Sequence, residues 1–306
     1  MAVRSLLHYA LEVPDQAVGE KFYRSFGLLE QAGRDGAVHL RPAPQQRETV
    51  RLYAGPRKRL HHLAFGATGD DYQATLAAIR RAGVREVDPP RGAPDGGVWV
   101  QDPDGNLVNV REEMPAPPPA DPPLRVNSPG HIGRQVDRGA PEAGAAASPR
   151  RLGHVLLFTP DVERQLDFYT RVLGLKLSDR SQSIIAFLRC TTDHHNVAFL
   201  ASRGPGFHHG SFEVGSVDEI AMGALRMQEA GWQPGWGLGR HVIGSNFFYY
   251  IRDPWGSFAE YFHDLDYIPE SCPWQPRNFP EADALYRWGP PVPDDFGLNR
   301  ELEASA

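Results

Sequence analysis

The two halves of this sequence repeat the same order of strand, turn and helix. Residues 6–29 read LLHYALEVPDQAVGEKFYRSFGLL, and residues 152–175 read LGHVLLFTPDVERQLDFYTRVLGL. Each stretch contains an apolar strand with a histidine, a Pro-Asp turn, and an amphipathic helix that ends at Gly-Leu. An internal repeat of this kind indicates a duplicated unit, so we expect both halves to fold on one plan.

A second pair of similar segments lies later in each half. These segments read HHLAFGAT at residues 61–68 and HHGSFEVG at residues 208–215, and each is followed by a helix and a closing hairpin. Short strands in succession, with one helix after the first, are typical of an α+β domain. We therefore predict two domains, each of paired βαβββ modules that form a curved, mostly antiparallel, barrel-like sheet around a cavity.

The segment between the two halves is rich in Pro, Ala and Gly. It begins EEMPAPPPADPPLRV at residues 112–126, and such a composition has little apolar surface to bury. We predict domains at residues 1–113 and 149–268, with a linker at 114–148. Residues 269–306 form a C-terminal extension whose aromatic side chains predict that most of it docks on a domain.

Charge and cysteine content exclude several classes of protein. The chain has 32 basic and 38 acidic side chains, and no basic stretch that could follow a nucleic-acid backbone. Two cysteines cannot form a disulfide framework, and their scarcity fits a reducing compartment. No apolar run approaches the roughly 20 residues that span a bilayer, and the acidic start is unlike a signal peptide. We expect a cytoplasmic protein with neither nucleic-acid nor membrane partners.

Three side chains occupy matching positions in the two halves. They are His8, His62 and Asn109 in the first half, and His154, His209 and Glu260 in the second. Two neutral imidazoles and one carboxylate form the facial triad of non-haem Fe(II) oxygenases, which leaves positions open for substrate and O₂. Asparagine is a weaker ligand without charge, so a metal is expected in the second half only. Histidines near strands are more often core residues than ligands, and duplication would repeat them in either case.

Further polar residues accompany the second triad. His194 and His195 stand at the start of the predicted strand HHNVAFL, and His241 precedes Tyr250 by nine residues. Tyr250 and Glu260 flank an Asp-Pro-Trp-Gly turn, and in a hairpin of this length both side chains can point inward. A metal with adjacent His and Tyr side chains suits acid–base chemistry on an oxygen ligand.

Up to about residue 267 the sequence resembles the extradiol ring-cleaving catechol dioxygenases of the vicinal oxygen chelate superfamily. The resemblance is strongest in LGHVLLF, HHNVAFL, FHHGSFEV and residues 240–262. It implies that His154, His209 and Glu260 bind Fe(II), with Mn(II) as the alternative metal. It also implies that the first domain lacks a metal, in agreement with Asn109.

The resemblance implies roles for the other residues as well. His195 would be the catalytic acid–base, while His241 and Tyr250 would orient the two oxygens of a catechol. We expect the pocket walls to include Phe187 and Asn246. The implied reaction is extradiol (meta) cleavage of a catechol-type diol by O₂ in aromatic-compound degradation. Exposed sheet edges and the aromatic extension favour a homo-oligomer.

Two features depart from the family pattern. Gly210 stands where a bulkier apolar residue is usual, which predicts a wider cavity. The C-terminal extension is not a general feature of the family, and its aromatic side chains could cover the active-site mouth, an oligomer contact or an exposed face.

Three other functions remain open from the sequence. A metal-dependent isomerase or lyase of the glyoxalase kind would need a further carboxylate in place of one histidine. A non-catalytic protein could bind an aromatic compound or drug in the same cavity, without using His195, His241 and Tyr250. A zinc hydrolase could use the same three ligands.

Overall fold

The fold of the N-terminal domain follows from the first copy of the repeat. A computed structural model describes residues 2–33, 35–90, 92–93, 96–142 and 144–303. The elements of this domain are β1 (Ser5–Val13), α1 (Gln16–Ser25), β2 (Leu29–Gln31), β3 (Val38–Arg41), β4 (Val50–Ala54), β5 (Arg59–Ala67), α2 (Gly69–Arg81), β6 (Val98–Gln101) and β7 (Leu107–Glu112).

The second copy of the repeat forms the C-terminal domain after a short exposed hairpin. The hairpin consists of β8 (Asn127–Ser128) and β9 (His131–Ile132). The elements of the C-terminal domain are β10 (Arg151–Thr159), α3 (Val162–Arg171), β11 (Lys176–Ser181), β12 (Ile185–Arg189), β13 (Val197–Ala201), β14 (Gly206–Glu213), α4 (Val217–Glu229), β15 (Pro234–His241), β16 (Phe247–Arg252) and β17 (Phe258–His263). The extension contributes β18 (Arg277–Asn278), a 3-10 turn at Glu281–Asp283, β19 (Tyr286–Trp288) and α5 (Arg300–Glu303).

The Pro-Asp turns begin the first helix of each domain, as the sequence predicts. The Asp15 carboxylate accepts a hydrogen bond from the Val18 N–H, and the Asp161 carboxylate accepts one from the Arg164 N–H. A side-chain acceptor at this position satisfies a backbone donor that the helix itself leaves unpaired. The two helices therefore leave their strands at equivalent points.

Each domain contains one mixed, mostly antiparallel sheet. The strand orders are β2-β3-β4-β1-β5-β7-β6 in the first and β18-β11-β12-β13-β10-β14-β17-β16-β15-β19 in the second. The register repeats as well, in one row of His8, Ala64 and Asn109 and one row of His154, Ser211 and Glu260. The prediction of paired modules with curved sheets is confirmed. In the second module of the N-terminal domain, the described residues after α2 form two strands, β6 and β7, and one isolated bridge between Glu86 and Val100.

Aromatic stacking joins the two domains. The Tyr9 ring stacks on Phe207 with 4.9 Å between ring centroids, and Phe26 stacks on Tyr261 at 3.9 Å. The Tyr261 hydroxyl also donates a hydrogen bond to the Phe26 carbonyl oxygen at 2.8 Å. Because Phe207 and Tyr261 lie on β14 and β17, these contacts support the two strands that carry His209 and Glu260.

Gly210 belongs to this interface, and the prediction that it widens the cavity is wrong. A Cβ atom at Gly210 would lie 2.5 Å from Cε1 of Tyr9. Successive strand residues face opposite sides of a sheet, so His209 faces the barrel interior while Gly210 faces the other domain. The missing side chain makes room for the Tyr9 ring.

Replacing Gly210 with alanine should therefore destabilise the protein. Overpacking of a filled interface costs about 1–3 kcal/mol, and a thermal or urea unfolding curve measures that loss. Gly297→Ala is the matched control because a Cβ there has no neighbour within 4 Å. Equal unfolding midpoints for the two variants would contradict this account of Gly210.

The C-terminal extension adds a strand to each edge of the second sheet. β18 pairs with β11, and β19 pairs with β15. The predicted division at residues 113, 148 and 268 stays a prediction, although the second sheet does recruit strands from beyond residue 268. Within the described parts of the chain, no helix combines the length and the apolar character that crossing a bilayer requires.

Candidate metal centre and its cavity

Three adjacent strands bring His154, His209 and Glu260 together inside the second barrel. The Nε2 atom of His154 lies 3.1 Å from Oε2 of Glu260, and the Nε2 atom of His209 lies 3.3 Å from the same oxygen. All three side chains are buried. Among the described residues, this is the group of His, Cys, Asp and Glu side chains whose arrangement could hold a metal ion.

The spacing of these atoms fits a divalent metal. Two ligand atoms bound at about 2.1 Å and at right angles to each other lie about 3.0 Å apart. The two separations from Glu260 are close to that value. Two nitrogens and one oxygen on adjacent strands would occupy one side of the ion and leave the opposite side to the cavity.

The charge of the site also favours the binding of a cation. Burial would raise the pKa of Glu260, but the hydrogen bond with His154 and the nearby imidazole of His209 outweigh burial and hold that pKa well below its usual range. Burial lowers the pKa of His209, so its imidazole is neutral at pH 7. A buried carboxylate without a cationic partner is costly, and a bound divalent ion removes that cost.

His208 leaves the ligand nitrogen of His209 free of a proton. The Nε2 atom of His208 lies 2.7 Å from the carbonyl oxygen of Phe296, which can only accept, so this nitrogen carries the proton. The Nδ1 atoms of His208 and His209 lie 2.7 Å apart, and the neutral His208 accepts there. His209 must donate from Nδ1, which leaves its buried, unpartnered Nε2 with a lone pair for a metal.

The matching residues of the N-terminal domain are arranged differently. The Nε2 atoms of His8 and His62 lie 2.9 Å apart and hydrogen bond to each other. The Asn109 amide donates to the carbonyl oxygen of Gly96 at 3.0 Å. The Nε2 atoms of the two rings are thus already paired with each other, and Asn109 offers no charge to a metal.

The triad opens into a cavity of about 320 Å³. His195 lines one side of it, and His241 and Tyr250 line the other. The remaining walls are mostly apolar and include side chains from β12, β13 and the C-terminal extension. Among these are Ile185 and Phe187 of β12, Leu200 of β13, and Leu285 and Phe296 of the extension, together with Ile184 just before β12. The extension therefore forms part of the cavity wall. Whether its aromatic side chains also cover the mouth, an oligomer contact or an exposed face stays a prediction.

His241 and Tyr250 form a hydrogen-bonded pair beside the triad. The Nδ1 atom of His241 donates to the Leu285 carbonyl oxygen at 2.7 Å, so its Nε2 accepts from the Tyr250 hydroxyl at 2.9 Å. Tyr250 pairs directly with Glu260 across the hairpin, as the spacing predicted. Burial lowers the pKa of His241 to about 4 and raises that of Tyr250 well above its usual range, so both are neutral at pH 7.

His195 lies on the opposite side of the triad, two residues before β13. Its ring centroid is 4.2 Å from that of His154 and 5.0 Å from that of Phe187. Burial lowers the pKa of His195 well below its usual range. Asn246 lines the cavity and also donates to Oε1 of Glu260 at 3.3 Å, a contact that the sequence did not indicate.

Comparison with known proteins places these features in a family. The model of the Glyoxalase/Bleomycin resistance protein/Dioxygenase superfamily matches residues 5–110 and 151–261. The chain is 45% identical over 302 residues to Metapyrocatechase 2 from Cupriavidus necator, covering 98% of this chain and 93% of that protein. It is 25% identical over 315 residues to the Iron-dependent extradiol dioxygenase from Rhodococcus jostii (strain RHA1), covering 94% of this chain and 97% of that protein.

A solved structure shares the whole architecture. The Mn(II)-bound glyoxalase from Novosphingobium aromaticivorans superposes with a TM-score of 0.76 at 25% sequence identity, covering 98% of this chain and 99% of that one. The two segments that match the family model contain one copy each of the repeat, including both sets of triad positions. The chain belongs to the Glyoxalase/Bleomycin resistance protein/Dioxygenase superfamily.

Proposed function

We propose that the protein is an extradiol dioxygenase that cleaves a catechol-type diol with O₂ at a single Fe(II) ion. The observation that carries this proposal is the buried triad of His154, His209 and Glu260 facing a cavity with His195 on one side and a His241–Tyr250 pair on the other. The resemblance to Metapyrocatechase 2 and to the Iron-dependent extradiol dioxygenase supports it. The role belongs to the breakdown of aromatic compounds.

The triad would hold the metal through the Nε2 atoms of both histidines and the Glu260 carboxylate. A bound Fe(II) ion supplies a Lewis acid that favours the ionised diol and a reductant for O₂ beside it. Two neutral imidazoles and one carboxylate leave a net charge of +1 on such a site, which suits an anionic diol. Asn246 holds the carboxylate in place through its amide.

His241 and Tyr250 would receive the oxygens of the diol. The Tyr250 hydroxyl donates its proton to His241 Nε2, so the lone pairs of the tyrosine oxygen are free to accept a hydrogen bond from a diol hydroxyl. The Leu285 carbonyl oxygen keeps His241 in the required tautomer. The pair thereby fixes the orientation of the ring before the reaction begins.

His195 would move the proton that the reaction requires. It faces the cavity as a neutral imidazole, which can accept a proton from the diol and later return it to an oxygen of the product. Insertion of oxygen next to the diol opens the ring to a muconic semialdehyde type of product, and both atoms of O₂ enter that product.

Reaction with ¹⁸O₂ tests the proposal. The protein is loaded with Fe(II) without air and mixed with catechols, and O₂ uptake, the yellow ring-opened product and its mass are recorded. We expect one O₂ consumed per diol and two labelled oxygens in the product. An isomerase or lyase, a zinc hydrolase and a non-catalytic binder all consume no O₂, so absence of uptake with every diol would reject the proposal.

Iron is the proposed metal, with manganese as the alternative. The triad accepts either ion, because first-row divalent metals place similar demands on imidazole and carboxylate ligands. The relatives include both an Iron-dependent extradiol dioxygenase and a Mn(II)-bound glyoxalase. Loading with Fe(II), Mn(II) or Zn(II) in parallel decides between them by the rate of O₂ uptake.

The cavity favours diols with a small apolar substituent. Its volume lies at the lower end of the range for small-molecule sites, which is about 300–1,000 Å³. Among the described residues that line it, none is lysine or arginine, and Glu281 lies at the mouth. A carboxylate on the ring would therefore be buried without a cationic partner.

Substrate preference should follow from this lining. We expect kcat/KM for 3-methylcatechol to exceed that for 2,3-dihydroxybenzoate by at least about tenfold, since an unpaired buried polar group costs about 1–3 kcal/mol. Catechol itself is the reference without a substituent. Equal values for the methyl and the carboxylate compounds, measured by O₂ uptake, would contradict the proposed role of the apolar walls.

We also propose that the protein forms a homo-oligomer in the cytoplasm. Among the described residues, β2 is an edge strand with a strand partner on one side only, and another subunit could cover its other side. Trp288 of the extension is exposed and could join such a contact. The scarcity of cysteine supports the reducing compartment.

A further inference from the structure

We propose that Asp179 and His194 are positioning residues for His195. Two hydrogen bonds in series hold the His195 ring so that the lone pair of Nε2 faces the cavity, ready to accept a proton. The consequence for turnover rests on the proposed function, whereas the hydrogen-bond arrangement itself does not.

The three side chains form a buried chain that ends at the cavity. The Oδ2 atom of Asp179 lies 2.9 Å from Nε2 of His194, and the Nδ1 atoms of His194 and His195 lie 3.0 Å apart. All three residues are buried. Water therefore does not compete for these hydrogen bonds, and each nitrogen must act as either donor or acceptor.

The direction of both hydrogen bonds in this chain follows from the Asp179 carboxylate at its outer end. A carboxylate only accepts, so His194 carries a proton on Nε2. In the proposed arrangement this is the only proton on the nitrogens of that ring, and Nδ1 accepts. His195 must then donate from Nδ1. Its remaining nitrogen, Nε2, is left without a proton and belongs to a ring that lines the cavity.

The same device occurs a second time in the chain with a different outer acceptor. His208 orients the proposed metal ligand His209, and its own acceptor is the neutral carbonyl oxygen of Phe296. A carbonyl is sufficient for a ring that stays neutral. The carboxylate of Asp179 also stabilises positive charge, which is what a ring that receives a proton requires.

The C-terminal extension fixes the orientation of the Asp179 carboxylate. Its second oxygen, Oδ1, accepts the backbone N–H of Arg277 at 2.6 Å. In an Asp179→Asn variant this N–H still requires an oxygen, so the amide NH₂ must turn toward His194 Nε2. Every hydrogen bond in the chain then reverses, and His195 presents an N–H to the cavity in place of a lone pair.

Nitrogen NMR on the full chain measures this reversal directly. The protein is labelled with ¹⁵N-histidine and loaded with Zn(II), which is diamagnetic and accepts the same ligands. Two-bond ¹H–¹⁵N correlations distinguish the two tautomers, and His195→Gln identifies the His195 signals. We expect His195 to be protonated on Nδ1 in the parent protein and on Nε2 in Asp179→Asn. Protonation on Nε2 in the parent, or the same tautomer in both, would overturn the proposal.

Turnover provides the second arm of the test. Asp179→Asn should lower kcat by about 10–100-fold while metal content and anaerobic diol affinity change less than about twofold. In a His195→Gln background the same substitution should have no further effect on kcat, because Asp179 and His194 then have no His195 ring to orient. Asp161→Asn is the matched control, since asparagine also caps a helix.

The outcomes distinguish a failure of the proposed positioning of His195 from a failure of the proposed function. An equal loss of kcat in both backgrounds would mean that Asp179 supports the fold only, and would overturn the proposal. If the parent protein consumed no O₂ with any diol, the proposed function would fail, and the NMR result would still decide the arrangement of Asp179, His194 and His195.

Discussion

Replacing Glu260 with glutamine should remove both the metal and the activity. Glutamine keeps the size of the side chain, but the site loses the negative charge that lies next to both imidazoles. The chain already contains this change in its other half, where Asn109 occupies the matching register position. We expect bound iron to fall below about a tenth of the parent value, and turnover to fall at least about a thousandfold.

Metal analysis and O₂ uptake after the same anaerobic loading measure both effects. Glu213→Gln is the control, because Glu213 lies on the same strand as His209 but pairs with Arg151 outside the cavity. That control should keep its iron and its turnover. An iron content near that of the parent in Glu260→Gln would remove Glu260 from the ligand set.

Replacing His195 with glutamine should lower turnover strongly while leaving the metal bound. His195 lies beside the proposed ligand His154 without a hydrogen bond to Glu260, so metal binding does not depend on it. Proton transfer by a positioned side chain contributes about 100- to 10,000-fold to a rate, and kcat should fall within that range. The dissociation constant of the diol, titrated anaerobically by absorbance, should change less than about twofold.

His263→Gln is the matched control for this substitution. His263 lies at the end of β17, where its Nδ1 bonds to the Val214 carbonyl oxygen away from the cavity. Parent-like turnover of His195→Gln would end the acid–base assignment. A large loss of diol affinity with little change in kcat would instead make His195 a binding residue.

The sequence predicted the parts of the site that strand register determines. His154, His209 and Glu260 lie on neighbouring strands, and the duplicated register fixes which face each side chain takes. The pairing of Tyr250 with Glu260 followed from counting residues across one hairpin. Such contacts are local or repeated, so a single sequence contains them twice or at short range.

The sequence could not predict the groups that orient these residues. Asp179 meets His194 through the pairing of β11 with β12 and the packing of the extension, and nothing in the letters KLSDRS marks that contact. The acceptors supplied by Leu285 and Phe296 are backbone carbonyls, which every residue possesses. The doubled histidines of the second half were the available signal, since in both of those pairs one ring lies at the proposed site and the other orients it.

The partner of Gly210 was also beyond the sequence. Strand alternation relative to His209 already turns Gly210 away from the barrel interior, but only the docking of the two domains shows that the Tyr9 ring fills that side. The resemblance therefore identified an unusual residue but assigned it to the wrong surface.

The location of the metal tests the account most directly. Crystals grown without air in Fe(II) and a catechol, measured at the iron absorption edge, give an anomalous map of the whole chain. We expect a single peak bounded by His154, His209 and Glu260, with the diol beside it next to His241 and Tyr250. A peak in the first barrel near His8 and His62, or three side chains that turn away from the ion, would contradict the account.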